Sequence, residues 1–188
     1  MIDKIPTYDD KKLAVIEENA TRLARVGTGT QKTHAESVLN AISDERQRRK
    51  EAAADRCRQQ AAEIAEKVKG MKLLDRVLLA FTEVPPEECE VEVLTEIAAH
   101  PGSDGTTIAR AIGKQDGGYI NLAVGKLCST REPYLGIAPV VKRRKGEKHF
   151  SALLIDFTPN VDPSGSRWFS WTLKPEAHAA LKQLGIVT

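Results

Sequence analysis

The stretch GTTIARAIGKQDGGYINLAVGKL, residues 105–127, predicts two short helices joined by a tight turn. In the first helix Ile108 and Ile112 are four residues apart, and Gly113 is a typical C-terminal stop. The second helix places four apolar side chains on one face: Ile120, Ala123, Val124 and Leu127. Because only KQDGG separates the two helices, we expect them to pack together in one core.

The patterns on both sides of this pair predict a small domain. EECEVEVLTEIAAH, at 87–100, is a helix whose early glutamates suit the positive end of its dipole. Its apolar face holds Val91, Leu94, Ile97 and Ala98. GIAPVVKRR and KHFSALLIDF are interpreted as strands flanking a hairpin tip at KG. RWFSWTL is a further strand with Phe169, Trp171 and Leu173 inward, and KPEAHAALKQLG, at 174–185, is a last helix.

This order of three helices, strands and a helix resembles the winged helix-turn-helix superfamily of DNA-binding domains over residues 87–185. The resemblance depends on element order and on TTIARAIG followed by YINLAVGKL. It implies a mostly α fold with a small antiparallel β-sheet (α+β), a third helix in the major groove, and a wing against the DNA backbone. The insertion GIAPVVKRRKGEK leaves open which of two hairpin tips is the wing.

The N-terminal part of the chain is predicted to be helical. Residues 8–26 space apolar side chains by three and four, GTGT then breaks the helix, and residues 31–82 form one long helix or two nearly continuous ones. The middle of that segment is charged nearly all round, with Arg46 and Arg49 where an apolar stripe would continue, and we interpret it as a solvated face. The proline pair in VPPEE sets the expected boundary between a helical extension, 1–84, and the winged domain, 85–188.

The extension is expected to bind a partner. Its apolar stripe is too narrow for a helix that stands alone, so we expect a homodimer through coiled-coil pairing, or docking of a protein partner. Folding back on the same chain through GTGT is the alternative. At the C-terminal end, a stripe from Met71 to Phe81 must be buried against the C-terminal domain or a second copy.

The resemblance and the local chemistry together give the candidate DNA contacts. The helix in TTIARAIG, which is the second helix of the domain, begins at Thr106 and Thr107 and offers free N–H groups to phosphate. Ordinary helix capping explains the same two residues equally well. The third helix exposes polar groups around glycines, with Leu122 near the centre of that face. The segment 142–148 carries five cations and one Glu, which would bind phosphates with strong salt dependence. The candidates are Thr106, Thr107, Lys114, Gln115, Tyr119, Asn121, Lys126, Lys142, Arg143, Arg144, Lys145 and Lys148.

Trp168 is expected either to stack on a base or, in preference, to rest under the long helix. Charge supports the DNA hypothesis, because residues 105–188 carry 12 Lys and Arg against 6 Asp and Glu, whereas 71–104 carry 2 against 8.

Other classes of function find little support in the residues. No phosphate-binding loop, dinucleotide fingerprint, zinc-protease or hydrolase motif is present, and the four His lie apart, so we expect no enzyme, no metal and no cofactor. The three cysteines show no paired spacing and are expected to be reduced. No apolar run reaches the roughly 20 residues that span a bilayer, and the N-terminus lacks a signal-peptide core, so a cytoplasmic protein is expected.

We therefore expect a cytoplasmic protein that binds double-stranded DNA, either as a transcription regulator or in plasmid or phage replication, partition or transfer. The alternative is a protein-interaction module that uses the small-residue face of the third helix, with the long helix as a scaffold. A positive field from Thr106 through Lys126 to Lys145 would favour DNA, and an apolar patch around Leu122 would favour protein.

Overall fold

The computed structural model describes residues 2–140, 147–161, 165 and 167–188, and the chain forms two compact units, Met1–Gln60 and Ala61–Thr188. The division therefore comes before the stripe from Met71 to Phe81, and not after it at VPPEE as expected. The reason is that this stripe packs into the core of the second unit. Within the described residues, no helix combines the length and the apolar character needed to cross a bilayer.

The first unit is a helical hairpin. A short 3₁₀ helix, Ile2–Thr7, precedes α1, Asp10–Val26, and α2 begins at Thr30 and continues to Lys67. Asp9 caps α1 by accepting a hydrogen bond from Lys12 N at 2.7 Å, and GTGT interrupts the helix as expected. The buried side chains are Ile5, Leu13, Ala20, Ala35, Val38 and Ile42. The extension thus folds back on the same chain, which was the alternative left open by the sequence.

Ion pairs continue the hairpin where its apolar stripe ends. Arg46 reaches from α2 to Glu17 on α1 with two hydrogen bonds of 2.9 and 2.7 Å. Arg49 lies 2.8 Å from Asp10 and 2.7 Å from Glu45. These two arginines are therefore bound to α1, and the solvated stretch is the following one, residues 50–60, which are all exposed.

The second unit is mostly helical with a small antiparallel sheet. Its helices are α3 Leu73–Glu83, α4 Glu88–Ala99, α5 Gly105–Ala111, α6 Gly117–Thr130, α7 Glu132–Leu135 and α8 Pro175–Gln183. Its strands are β1 Ser103–Asp104, β2 Ile155–Val161 and β3 Arg167–Leu173, in the order β1-β3-β2. In this register Trp171 of β3 pairs with Ser103 of β1 and with Phe157 of β2. Gly70, with a φ of 77°, lies in the turn between α2 and α3, so the long segment is two helices.

Most of the apolar faces expected for the helices lie in the core of this unit. Leu94 and Ile97 of α4 are buried, and so are Ile120, Val124 and Leu127 of α6. In α4 the third buried side chain is Val93, whereas Val91, which was expected there, is half-buried. The stripe on α3 shares this core with α8, so it is buried within the same chain.

A buried ion pair ties three helices together. Arg131, directly after α6, is 1% exposed, and its guanidinium lies 3.1 Å from Glu90 Oε2 at the start of α4. It also donates to Val84 O, at the end of α3, and to Leu127 O. Glu90 has a second role in the capping box of α4. From the sequence, this early glutamate was expected to suit the positive end of the helix dipole, and the structure gives it a buried ion pair as well.

The strand predictions were only partly right. Over 148–157, the residues Phe150–Leu153 form a 3₁₀ helix, and the strand begins at Ile155 and continues to Val161. Within the described part of GIAPVVKRR, Val140 makes one isolated antiparallel bridge, to Lys148. Phe169 was expected inward but is 55% exposed, because its end of the β2–β3 hairpin extends past the core.

Helices α5 and α6 approach each other through glycine. A Cβ added to Gly117 would lie 2.9 Å from both Gly105 C and Thr106 N, whereas one added to Gly125 would meet only Ser151 Oγ, at 4.0 Å. The helix starts are thus in direct backbone contact, while Gly125 faces open space.

Acid should weaken the first unit through Glu45. Hydrogen bonds from Arg48 and Arg49 lower the pKa of Glu45 from 4.5 to about 2. A carboxyl group whose pKa is lowered by folding contributes its full stabilisation at pH values above its pKa in the unfolded chain. This stabilisation is lost as the pH falls through the pKa of the group in the folded protein. We expect Glu45→Gln to lower the urea midpoint at pH 7, and the difference from the parent to shrink between about pH 4.5 and 2. A constant difference, or an equal one for exposed Glu36→Gln, would contradict this role.

Gly117→Ala should destabilise the second unit. The added methyl group meets rigid backbone at 2.9 Å, so α5 and α6 must separate, at a cost of about 1–3 kcal/mol in the free energy of unfolding. The matched control is Gly125→Ala, whose Cβ meets nothing closer than 4.0 Å and whose helix propensity improves. In urea unfolding followed by circular dichroism, only the Gly117→Ala variant should have a lower urea midpoint than the parent. Equal midpoints for the two variants would refute the close contact.

Candidate nucleic-acid interface

One groove of about 940 Å³ lies in the second unit, between α6 and the β2–β3 hairpin. We call it the α6–hairpin groove. Its lining comes from the start of α5, from α6, from the segment 147–151 and from both strands of the hairpin. The lining includes three glycines, four aromatic residues, one leucine and one asparagine: Gly105, Gly117, Gly125, Phe157, Trp168, Phe169, Trp171, Leu122 and Asn121.

The floor of the groove is a series of aromatic rings. Trp171 is 3% exposed and meets Phe157 edge to face, with 4.9 Å between ring centroids. Phe157 in turn stacks on His149 at 4.7 Å. Among the described residues, Trp171 Nε1 makes no hydrogen bond, and it is not one of the buried side-chain atoms without a partner, so it is accessible from the groove. The floor therefore combines apolar ring surface with one N–H donor that has no partner there.

The rim is apolar and exposed. Leu122 on α6 is 77% exposed, and the hairpin contributes Phe169 at 55% and Trp168 at 39%. Large apolar side chains that are exposed together in one patch are typical of binding surfaces. An apolar patch around Leu122, which the sequence analysis named as a sign of protein binding, is thus present. Trp168 is part of this patch.

Glycine keeps the groove open. A Cβ on Gly105 would lie 3.6 Å from Trp171 Nε1, so even a methyl group there would cover the indole N–H. Gly125 faces the groove from α6, with only Ser151 Oγ within 4.0 Å of a built Cβ. Without side chains at these positions a ligand can approach the aromatic floor closely.

The N–H groups at the start of α5 are not free for phosphate, because a side chain already caps the helix. Asp104 Oδ1 accepts from Thr106 N at 2.7 Å and from Thr107 N at 3.0 Å, and Asp104 Oδ2 accepts from Thr107 Oγ1 at 2.7 Å. Partial burial alone would raise the pKa of Asp104, but these hydrogen bonds outweigh it and the pKa lies below its usual value. Asp104 is therefore the helix cap and already binds the N–H groups of Thr106 and Thr107, so a phosphate there would have to compete with a carboxylate.

The other predicted contacts lie in several places. Lys114, Gln115, Asn121 and Lys126 are exposed, and Tyr119 is half-buried. Lys114 Nζ sits over the Tyr119 ring at 5.0 Å, and Asn121 Nδ2 donates to Gly117 O, on its own helix, at 3.1 Å. Of the predicted contacts that the structure describes, only Thr106, Asn121 and Lys148 line the groove.

The basic segment is described only at its end. Lys142, Arg143, Arg144 and Lys145 lie outside the described residues. Lys148 lines the groove, and its Nζ is 2.6 Å from Glu132 Oε1, so its charge is paired within the chain. That pairing lowers the contribution expected of Lys148 to phosphate binding.

Sequence reasoning missed the groove itself. It identified Leu122 and the glycines of α6, but it placed Phe169 in the core and gave no role to Gly105. The signal was the position of Trp168 and Phe169 at the start of β3, next to a stretch rich in turn residues.

The groove can bind flat or apolar groups and donate one hydrogen bond. Within the described ranges, no group of three or more His, Cys, Asp or Glu could hold a metal ion. Burial raises the pKa of the core thiol Cys128 to about 12, so this group is a poor nucleophile. Comparisons of the chain with models of protein families, with curated proteins and with solved structures find no match.

Proposed function

We propose that the second unit is a winged helix-turn-helix domain that binds DNA. The observation that carries the proposal is that α6 and the β2–β3 hairpin border one open groove, as a recognition helix and a wing do. The strand order β1-β3-β2, with β1 between α4 and α5, agrees with this assignment. The wing is then the β2–β3 hairpin, and KRRKGEK belongs to a separate insertion.

Charge supports an anionic target. From the start of α5 onward, cations outnumber anions by 12 to 6, and four of them are consecutive at 142–145. Such a cluster adds affinity for phosphate without selecting a sequence. A role as a transcription regulator, or as a factor in plasmid or phage DNA replication, partition or transfer, would be consistent with these features.

A protein-docking role is the second candidate. It is favoured by the 77% exposure of Leu122 beside Trp168 and Phe169, since apolar surface of this kind is typical of protein interfaces. In that case binding would depend on Leu122 and not on the cations.

The first test is a titration of the full chain with a labelled duplex at two salt concentrations. We expect binding at about 50 mM salt that weakens steeply at about 200 mM, because each phosphate contact releases counterions. Changing Arg143, Arg144 and Lys145 together to Ala should weaken binding by about tenfold or more at low salt and reduce its salt dependence.

The matched control removes three exposed cations of the first unit that lie outside residues 50–60, by changing Lys11, Arg22 and Lys32 to Ala. This control should bind as the parent does. Absence of binding at low salt, or an equal loss for the two triple variants, would refute the proposal. Loss of a protein partner on Leu122→Ala, without any DNA binding, would favour the second candidate.

For the first unit we propose self-association through the exposed part of α2. Residues 50–60 are all exposed and include Ala52, Ala53 and Ala54, small enough for two helices to approach closely. Light scattering at micromolar concentration should give twice the chain mass of 20.6 kDa. Ala54→Glu together with Cys57→Glu, which adds charge to this surface, should give the monomer mass. A monomer mass for the parent chain would remove the proposal.

A further inference from the structure

We propose that the α6–hairpin groove binds unpaired nucleobases, so that the preferred substrate is DNA with a single-stranded segment. This inference rests on the proposed DNA-binding function and names the substrate class of the same site. It is carried by the groove's aromatic lining, its unpartnered donor and its glycine-lined access.

The lining has the chemistry of a stacking site. Trp168 and Phe169 are exposed on the hairpin, and Phe157 and Trp171 form the floor. Nucleobases of any sequence stack on aromatic rings, and each stacked base adds roughly tenfold or more to affinity. At about 940 Å³, the groove lies within the size range of sites for small ligands, so it has room for a base.

An accessible donor gives this site a polar contact. Trp171 Nε1 makes no hydrogen bond among the described residues, and it is not one of the buried side-chain atoms that lack a partner, so it is open to the groove. A ligand in the groove can therefore bring an acceptor to this N–H. The carbonyl oxygens and ring nitrogens on the edge of a base are acceptors of this kind.

Glycine gives a flat group access to that floor. Gly105 and Gly125 place no side chain over the rings, and a single Cβ on Gly105 would already lie 3.6 Å from Trp171 Nε1. Leu122 then stands at the rim, where it can contact the edge of a stacked base.

A duplex makes less use of these features than a single strand does. Its base faces are covered by their neighbours, and only base edges and phosphates are accessible, so aromatic walls would contribute little. An aliphatic peptide would fit the rim, but it would make no use of the excess of 12 cations over 6 anions in residues 105–188. Unpaired DNA uses both the aromatic groove and the cations.

The test uses the intrinsic fluorescence of the parent chain. The sequence has only two Trp, and both Trp168 and Trp171 line the groove, so their emission reports on this site alone. Oligothymidine of about 15 nucleotides should quench the emission and bind at least about tenfold more tightly than a duplex of equal length at the same salt. The duplex should bind with little quenching.

Gly125→Leu is the variant that fills the groove. It should weaken oligothymidine binding about tenfold and leave the urea midpoint unchanged. Ala111→Leu adds a larger side chain at an exposed position that is not part of the lining, and it should bind oligothymidine as the parent does. Phe169→Ala removes one ring on the hairpin without filling the groove, and it should also weaken oligothymidine binding.

The outcomes separate the two proposals. Equal affinity for single strand and duplex without quenching, while the Arg143, Arg144 and Lys145 variant weakens both, would overturn the nucleobase site and leave DNA binding standing. Unchanged single-strand affinity in both groove variants would overturn it as well. No binding of either nucleic acid at low salt would refute the DNA-binding function itself.

Discussion

The buried guanidinium of Arg131 is the interaction on which the second unit depends. A charge taken out of water costs several kcal/mol unless it is paired and hydrogen-bonded. Arg131 meets this cost with Glu90 on α4, with Val84 O at the end of α3 and with Leu127 O on α6, and it packs over the Phe81 ring at 4.6 Å. Three helices must therefore adopt their native positions together, and the position of α6 is fixed at its C-terminal end.

The other end of α6 is fixed by backbone contact. Gly117 lies against Gly105 and Thr106, and Asp104 caps α5 from the strand that pairs with Trp171. The helix is thus held at both ends, one by a buried ion pair and one by glycine. Its apolar face enters the core, and its opposite face, with Leu122 and Gly125, is left to form the wall of the groove.

The sequence predicted those parts of the fold that depend on local periodicity. Ile108, Ile120 and Leu127 are buried as expected, because a helical face is set by spacing within one segment. The strand at 148–157 was misplaced because a short apolar run such as FSALL suits a strand or a helical turn equally. Strand β1 has two residues and carries no periodic signal, so its pairing with Trp171 could not be foreseen. Since that pairing closes the groove floor, the site was less predictable than the helices that flank it.

Several groups near the groove that could bind phosphate are already paired within the chain. Lys148 is paired with Glu132, and the N–H groups at the start of α5 are hydrogen-bonded to Asp104. To bind phosphate, each of these donors would have to lose its present partner. If the unit binds DNA as proposed, attraction to the anionic chain would depend on the consecutive cations at 142–145, which do not distinguish one nucleic acid from another. The apolar groove has the opposite character, because ring contacts respond to shape and to the availability of a flat face, and are insensitive to charge. A protein built in this way would approach any DNA through its cations and select among DNA structures through Trp168, Phe169 and Leu122.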